Sequence, residues 1–332
     1  MTGGVISNVM IRKIVRKLRQ EILYYLEVYR DSRRYLGACD WIGAPPGNRS
    51  THLLGDIIRK YHVVEKALAM PEFRPGSAAG VVRSLIVDLT SWENLGDKGA
   101  QSTSQIAAAH GVLKSYLDRH RELDFDVSDT FREFQPRKGD DPKVGGANPY
   151  TIDRDLDWSG LKQLLRGRRS LRTYDGTRIP SPEILHAIAD TAIKSPSVCN
   201  RQTGRLHVFT GEKVNQLLEY QTGNRGFGHQ VPVLFVVTTD MRFFLSRKER
   251  NQPGIDGGLF ALQTVLAIQS EGMGSVCLNW CVDHKSDLKL REIGGIPEYE
   301  NVIMLIGCGY PSSEALSPIS QRYPAEAILT IH

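Results

Sequence analysis

Residues 166–174 read RGRRSLRTY and residues 195–202 read SPSVCNRQ. The first segment packs four arginines and a serine into seven positions, 166–172. Guanidinium groups form paired, charge-assisted hydrogen bonds to phosphate oxygens, and a serine hydroxyl adds one more. Taken alone, the cluster suits either an anion site or a solvated basic turn. The second segment carries Asn200 and Gln202, whose amides each offer a donor and an acceptor. That is the equipment for reading the edge of a heteroaromatic ring, and equally that of a plain polar turn. Outward from these segments, helical periodicity at about 158–166, 181–194, 212–221 and 253–271 alternates with strand-like runs at 206–210, 231–239, 275–280 and 301–308. A last short run, 327–331, is expected to close the chain as a strand. The texture is that of an α+β domain around a small mixed sheet flanked by helices. No GxGxxG stands between a strand and a helix; Gly223, Gly226 and Gly228 mark only a glycine-containing loop.

The first half reads differently. Ile11, Ile14, Leu18, Ile22, Leu26 and Tyr29 recur at spacings of three and four, which predicts an amphipathic helix over 9–35. Further helices are expected at 51–69, 77–94 and 101–122, with a loop at 43–51. The stretch 136–149, PRKGDDPKVGGANP, reads as a linker. The expected division is an all-helical region 1–135, a linker 136–150 and a second domain 151–332. His62 and Glu65 share one helical face, which suits a surface ion pair, an acid/base pair or half of a metal site. No HExxH, GxSxG or Cys/His signature accompanies them, so hydrolase and metal-site readings have no support.

The chain has 332 residues, 41% hydrophobic and 24% charged, the composition of an ordinary globular protein. The longest strongly apolar run, 231–237, suits a buried strand and is far too short to span a membrane. The opening MTGGVISNVM shows no secretory pattern, and five scattered cysteines suggest no disulfide framework, so a cytoplasmic location is expected. Cys277 and Cys281 are expected to be small buried hydrophobes. The net charge is +5, and residues 1–34 hold eight basic and three acidic side chains, the whole of that excess. Nothing else in the charge pattern points to nucleic acid. The basic helix 9–35 suits an anionic membrane surface or an acidic partner. The plainer expectation, a helix half-buried on its own protein with a solvated basic face, is preferred because most amphipathic helices are of that kind.

The two opening segments, in this order, resemble the nitroreductase family. That family opens on R-R-S-x-R-x-[FY], matched by Arg168, Arg169, Ser170, Arg172 and Tyr174, and continues with [AS]-P-S-x-x-N-x-Q, matched by Ser195 to Gln202. Asp256, Gly257 and Gly258 with Gln263, then Gly272, Met273 and Gly274, then Gly307 to Pro311 follow in the family's order, and Arg322, Tyr323 and Pro324 match loosely. The resemblance covers about 166–331. It implies a nitroreductase-like α+β fold and bound FMN. Arg168 and Ser170, with Arg169 assisting, would take the phosphate and ribityl end, and Arg172 would approach the N1/O2 side of the ring. Asn200 would hydrogen-bond the ring or ribityl, with Ser197 and Gln202 from the same turn and Gly274 completing the cradle and Arg322 as a second phosphate contact. It further implies a homodimer with FMN at the interface, and hydride passing from NAD(P)H through flavin N5 to an organic acceptor. No side chain is singled out as an acid or base, since the cofactor carries that chemistry.

Two departures bear on the substrate. Thr203 and Gly204 stand where the family often has Pro-Trp, and the first 150 residues match nothing in the family's core. Both favour a small-molecule biosynthetic intermediate over a generalist's nitroarene. The rival from another class is a flavin-binding sensor or scaffold whose basic N-terminal helix meets a partner or membrane. The run at 62–68, HVVEKAL, resembles an H-x-x-E-K-[GA]-L element of longer nitroreductase-like proteins from bacterial polysaccharide gene clusters.

Overall fold

A computed structural model describes residues 8–39, 48–95, 102–132, 134, 140–149, 155 and 157–332. Four long helices come first: α1 (Asn8–Ala38), α2 (Arg49–Leu68), α3 (Ala79–Glu93) and α4 (Ser102–Glu122). The α+β part follows as α5 (Trp158–Gly167), α6 (Pro182–Ala192), β1 (Gly204–Thr210), α7 (Glu212–Leu218), β2 (Val233–Asp240), α8 (Gln252–Ser270), β3 (Gly274–Asn279), α9 (His284–Gly294) and β4 (Glu300–Gly309). The strands form one sheet in the order β1-β2-β4-β3. All three pairings are antiparallel, and the one parallel touch among the described residues is the isolated bridge between Ser170 and Ser275. The chain thus has the expected α+β architecture behind an all-helical region, with an antiparallel rather than mixed sheet.

β2 is buried from end to end, which is why its sequence is an unbroken apolar run rather than an alternating one. Leu234 and Val236 meet Leu305, Val276 and Leu278 under α7 and α9, while Val233, Phe235 and Val237 meet Ile306 and Cys308 under α6 and α8. Each fully buried aliphatic chain here contributes about 1.5–3 kcal/mol. Helix α9 carries no strong apolar stripe and is the element the periodicity misses. Its ends are nonetheless written in the sequence: Asp283 accepts the Ser286 N–H at the start, and Gly295 takes φ +63° at the end.

In the helical region Ile57, Tyr61 and Val64 of α2 pack on Leu85 and Leu89 of α3 and on Val112 and Tyr116 of α4. Phe243, just after β2, completes that same core. The described part of the expected linker, 140–149, lies on α4. Gly111 and Gly145 permit this: a Cβ on Gly145 would stand 2.3 Å from the Ala108 carbonyl oxygen. Glu65 accepts the Gly146 N–H at 3.4 Å and also meets His62 Nδ1 at 3.1 Å. The His62–Glu65 pair is therefore a side-chain contact that helps seat the 140–149 segment, and no group of three or more metal-ligating side chains occurs among the described residues. Residues 40–47 and 135–139 lie outside the description, and with them most of the loop expected at 43–51 and the start of the linker.

Three expectations fail. The run 327–331 forms no strand; a short 3-10 turn, Ala325–Ala327, precedes irregular chain with Ile328 and Ile331 fully open. A β-forming sequence needs a sheet edge to pair with, and none among the described residues pairs with it. Cys277 and Cys281 are exposed, because β3 is an edge strand whose outer face is uncovered at Cys277. Helix α1 is the third. It forms over the expected residues, yet only its last turns are seated, through Tyr35, Ala38 and Cys39 against Met241 and Phe244. The Tyr35 hydroxyl donates to the Ser246 carbonyl at 2.7 Å and Arg34 meets Asp287 at 2.7 Å. The preferred picture of a half-buried helix does not hold before Arg34. A local period fixes which face is apolar but not whether the rest of the fold reaches it.

Candidate functional site

The arginine segment hangs from α5. Arg168 closes that helix, its N–H returning to the Leu164 carbonyl, and the chain then runs extended beside β3. Leu171 donates its N–H to the Ser275 carbonyl at 2.9 Å. The Tyr174 hydroxyl donates to the Leu171 carbonyl at 2.8 Å. Leu171 and Tyr174 are buried pegs in the sheet core. Ser170 and Arg172, on either side of Leu171, stay half-exposed, as does Arg168. Arg169 is exposed and folds back on its own backbone, donating to the carbonyls of Arg166 and Arg168. The Arg172 guanidinium lies 5.7 Å from the Phe227 ring centre. Neither Arg168 nor Arg172 has a carboxylate partner among the described residues, and the Ser170 hydroxyl has no hydrogen bond there.

Gly274 makes this seat possible. A Cβ at Gly274 would stand 2.4 Å from Leu171 Cδ2 and 2.8 Å from its Cβ. The glycine works by letting the arginine segment lie close on β3. Gly272, with φ +73°, supplies the turn itself.

The second segment is a strained turn. Cys199, Asn200 and Gln202 all take positive φ, between 48° and 53°. Three non-glycine residues in the left-handed region within four positions cost free energy, of order 1–3 kcal/mol each, and need an over-determined frame. That frame is visible. Ser197 Oγ accepts the Gln202 N–H at 2.9 Å, and the buried Asp256 carboxylate accepts the Val198 N–H at 3.2 Å. Burial pushes the Asp256 carboxyl above its ordinary range, although Gln252 donates to it at 2.8 Å. Arg201 is the keystone: it is 1% exposed, donates to the Phe243 carbonyl at 2.7 Å, and pairs with Glu249. Burial would raise the Glu249 carboxyl, but Arg201 and the Leu245 N–H hold it below the usual glutamate range. Gln202 Nε2 donates to the Asn200 carbonyl at 3.3 Å. The Asn200 side chain makes no hydrogen bond among the described residues and is half-exposed. Arg201 escaped the sequence reading; its only signal was a fifth arginine beside the asparagine.

The turn is also roofed. α2 packs on it and on the short helix Met241–Phe243. Between α2, α4 and β1 opens a cleft of about 440 Å³ whose walls include Leu54, Ile58, Gln105, Gln202 and Arg205. Gln202 thus faces the helical region.

The register shows which predicted residues meet. Ser275 stands level with Cys308, Val233 and Thr210, so Ser170 lies on the β3 edge at the Thr210 end of the sheet. Asn200 precedes Gly204, which stands level with Thr239 and Asn301 at the other end of the opposite edge strand. Three strand spacings and six residue rises separate the corners, roughly 14 Å by 20 Å. Within one chain the structure brings Arg168, Ser170 and Arg172 together, and Ser197, Asn200 and Gln202 together, but not the two groups with each other. Arg322 joins neither; it is exposed and donates to the Ser320 carbonyl at 2.8 Å.

Residues 165–224 match the family model described as the nitroreductase family. A protein of Archaeoglobus fulgidus, named an NADH dehydrogenase/NAD(P)H nitroreductase, is 28% identical over 155 residues, 46% of this chain and 86% of its own. Among solved structures, a nitroreductase family protein from Streptococcus pneumoniae aligns with TM-score 0.45 and 21% identity, over 52% of this chain and all of its own. A nitroreductase from Desulfovibrio desulfuricans, solved in complex with FMN, aligns with TM-score 0.44 and 20% identity, over 55% of this chain and 98% of its own. About half of this longer chain therefore accounts for nearly the whole of each relative. The family-model match lies in the C-terminal half, and through it the chain is similar to the nitroreductase family.

Proposed function

We propose that residues 151–332 bind FMN and that the chain is an oxidoreductase using NAD(P)H to reduce a small organic acceptor. The observation that carries this is the seat of Arg168, Ser170 and Arg172: two half-exposed cations and a hydroxyl, held by buried pegs, with no carboxylate partner among the described residues. Such a set fits a phosphate and a polyol better than a structural role, because structural arginines in this fold are paired. Arg168, assisted by Arg169, and Ser170 would hold the phosphate and ribityl end, and Arg172 would place positive charge beside the pyrimidine side of the ring. When bound, FMN supplies the hydride relay between nicotinamide and acceptor. The chain's own part is to hold, orient and charge-balance it.

The separation of the two corners supports a homodimer, in which Asn200, Ser197 and Gln202 of one chain would complete the cradle on the other. α8 presents Ile255, Leu259 and Leu262 to solvent at spacings of four and three, beside exposed Leu161 and Leu165 of α5. Adjoining exposed apolar stripes of this kind mark association surfaces. The roofed turn and the absent Pro-Trp favour a tailored acceptor, with the helical region forming one wall of its cleft.

The test is titration of purified protein with FMN, followed by flavin absorbance and fluorescence, on the native chain and on Arg168→Ala. Stoichiometric flavin that is weakened about tenfold or more by Arg168→Ala supports the reading. A chain that binds no FMN, or binds it equally without Arg168, overturns it.

A further inference from the structure

Helix α1 carries a stripe that its own fold leaves bare. At about 100° per residue, Ile11, Ile14, Val15, Leu18, Ile22, Tyr25, Leu26 and Tyr29 fall within one third of the helix circumference, and no charged residue between positions 11 and 29 shares that arc. All eight are between 44% and 69% exposed. The stripe runs about 27 Å, and the helix's buried packing on the body comes beyond its end, from Arg34 onward, with Tyr29 at the rim of a cleft shared with Tyr299.

The charge decides what covers it. From Arg12 to Gln20 there are five cations and no anion. Arg12, Arg16, Arg19 and, further on, Arg30 succeed one another along a single flank of the stripe. Arg12, Lys13, Arg16 and Arg19 have no ion pair among the described residues. The helix's acids are already engaged: Glu21 with Lys17, Glu27 with Arg30, and Asp31 with Arg34. A second α1 laid parallel would set five cations against five. Laid antiparallel, it would offer them only acids that are already paired. An anionic lipid surface answers both features at once, taking the stripe into its acyl boundary while the flanking guanidiniums reach the headgroups. No helix among the described residues is long and apolar enough to cross a membrane, so the contact is with a surface.

We propose that α1 is a membrane-surface anchor that docks this enzyme on anionic phospholipid, apolar stripe inward, leaving the α+β body in water. The anchor is independent of flavin, so its test does not depend on the reading of the site.

The experiment is sedimentation of the full chain with phosphatidylcholine vesicles, with and without phosphatidylglycerol, alongside two variants. Leu18→Asp/Ile22→Asp breaks the stripe, and Arg12→Glu/Arg16→Glu/Arg19→Glu reverses the flank. Both sets lie on the exposed part of α1, so melting temperature and secondary structure should be unchanged. Expected are binding to the anionic vesicles only, loss of at least about tenfold in either variant, and weakening by added salt. Failure to bind anionic vesicles, or equal binding to both vesicle types, overturns the proposal. So does a stripe variant that leaves vesicle binding intact but lowers the oligomeric state in lipid-free solution, since a second copy would then own the stripe.

Discussion

Two arginine-bearing turns of one domain use the same side chain in opposite ways. Arg201 is sealed beneath α2, its guanidinium spent on Glu249 and the Phe243 carbonyl. Arg168 and Arg172 stand half-open beside β3 with no carboxylate partner among the described residues. The difference separates architecture from function. A buried cation must be satisfied internally or it costs several kcal/mol, so its partners are part of the fold. A half-exposed cation without an internal partner is free to meet a charge from outside the chain, which is the role proposed for Arg168 and Arg172.

The comparison breaks most visibly at Arg201. Replacing it by alanine strands the Glu249 carboxylate and unpins three left-handed residues; we expect a loss of about 3 kcal/mol in urea unfolding. Should Arg201→Ala be neutral while Arg168→Ala unfolds the protein, the roles assigned to the two turns are reversed. Next in size is Gly274→Ala. The added methyl collides with Leu171, so stability should fall by about 1–3 kcal/mol and flavin affinity with it, because the arginine segment lifts from β3. Arg172→Ala should leave stability within about 0.5 kcal/mol, as surface changes do, while weakening FMN binding. Leu259→Glu sharpens the two-chain reading: analytical ultracentrifugation should show monomer, and flavin should be lost with the dimer although no predicted flavin ligand was touched.

The smallest effect is in pH. Glu249 has its folded pKa depressed by Arg201, against the pull of burial. Its contribution is therefore full above the ordinary glutamate range and fades as pH falls through the lower folded value. Native protein should lose stability on acidification more steeply than Arg201→Ala, in which that depression is gone. Parallel acid limbs in the two proteins would show that the pair is not coupled.

What the sequence determined by itself is the set of elements and the chemistry placed on them. Helices α2, α3, α4, α6 and α8 and all four strands lie where periodicity sets them, since a 3.6- or 2-residue repeat is a local property. The open arginines and the amide-bearing turn were legible for the same reason: each is a contiguous run of residues. What only the tertiary structure decided is where those runs stand. Insertion of β4 between β2 and β3 sends the two segments to opposite corners of the sheet. The close pass of Leu171 over Gly274 gives that glycine its purpose, and the reach of Glu249 turns Arg201 into a keystone. The stripe of α1 was plain in the sequence, but its bareness was not. Each of these depends on pairs of residues distant along the chain, which strand register and helix docking bring together or keep apart, and no local period encodes that choice.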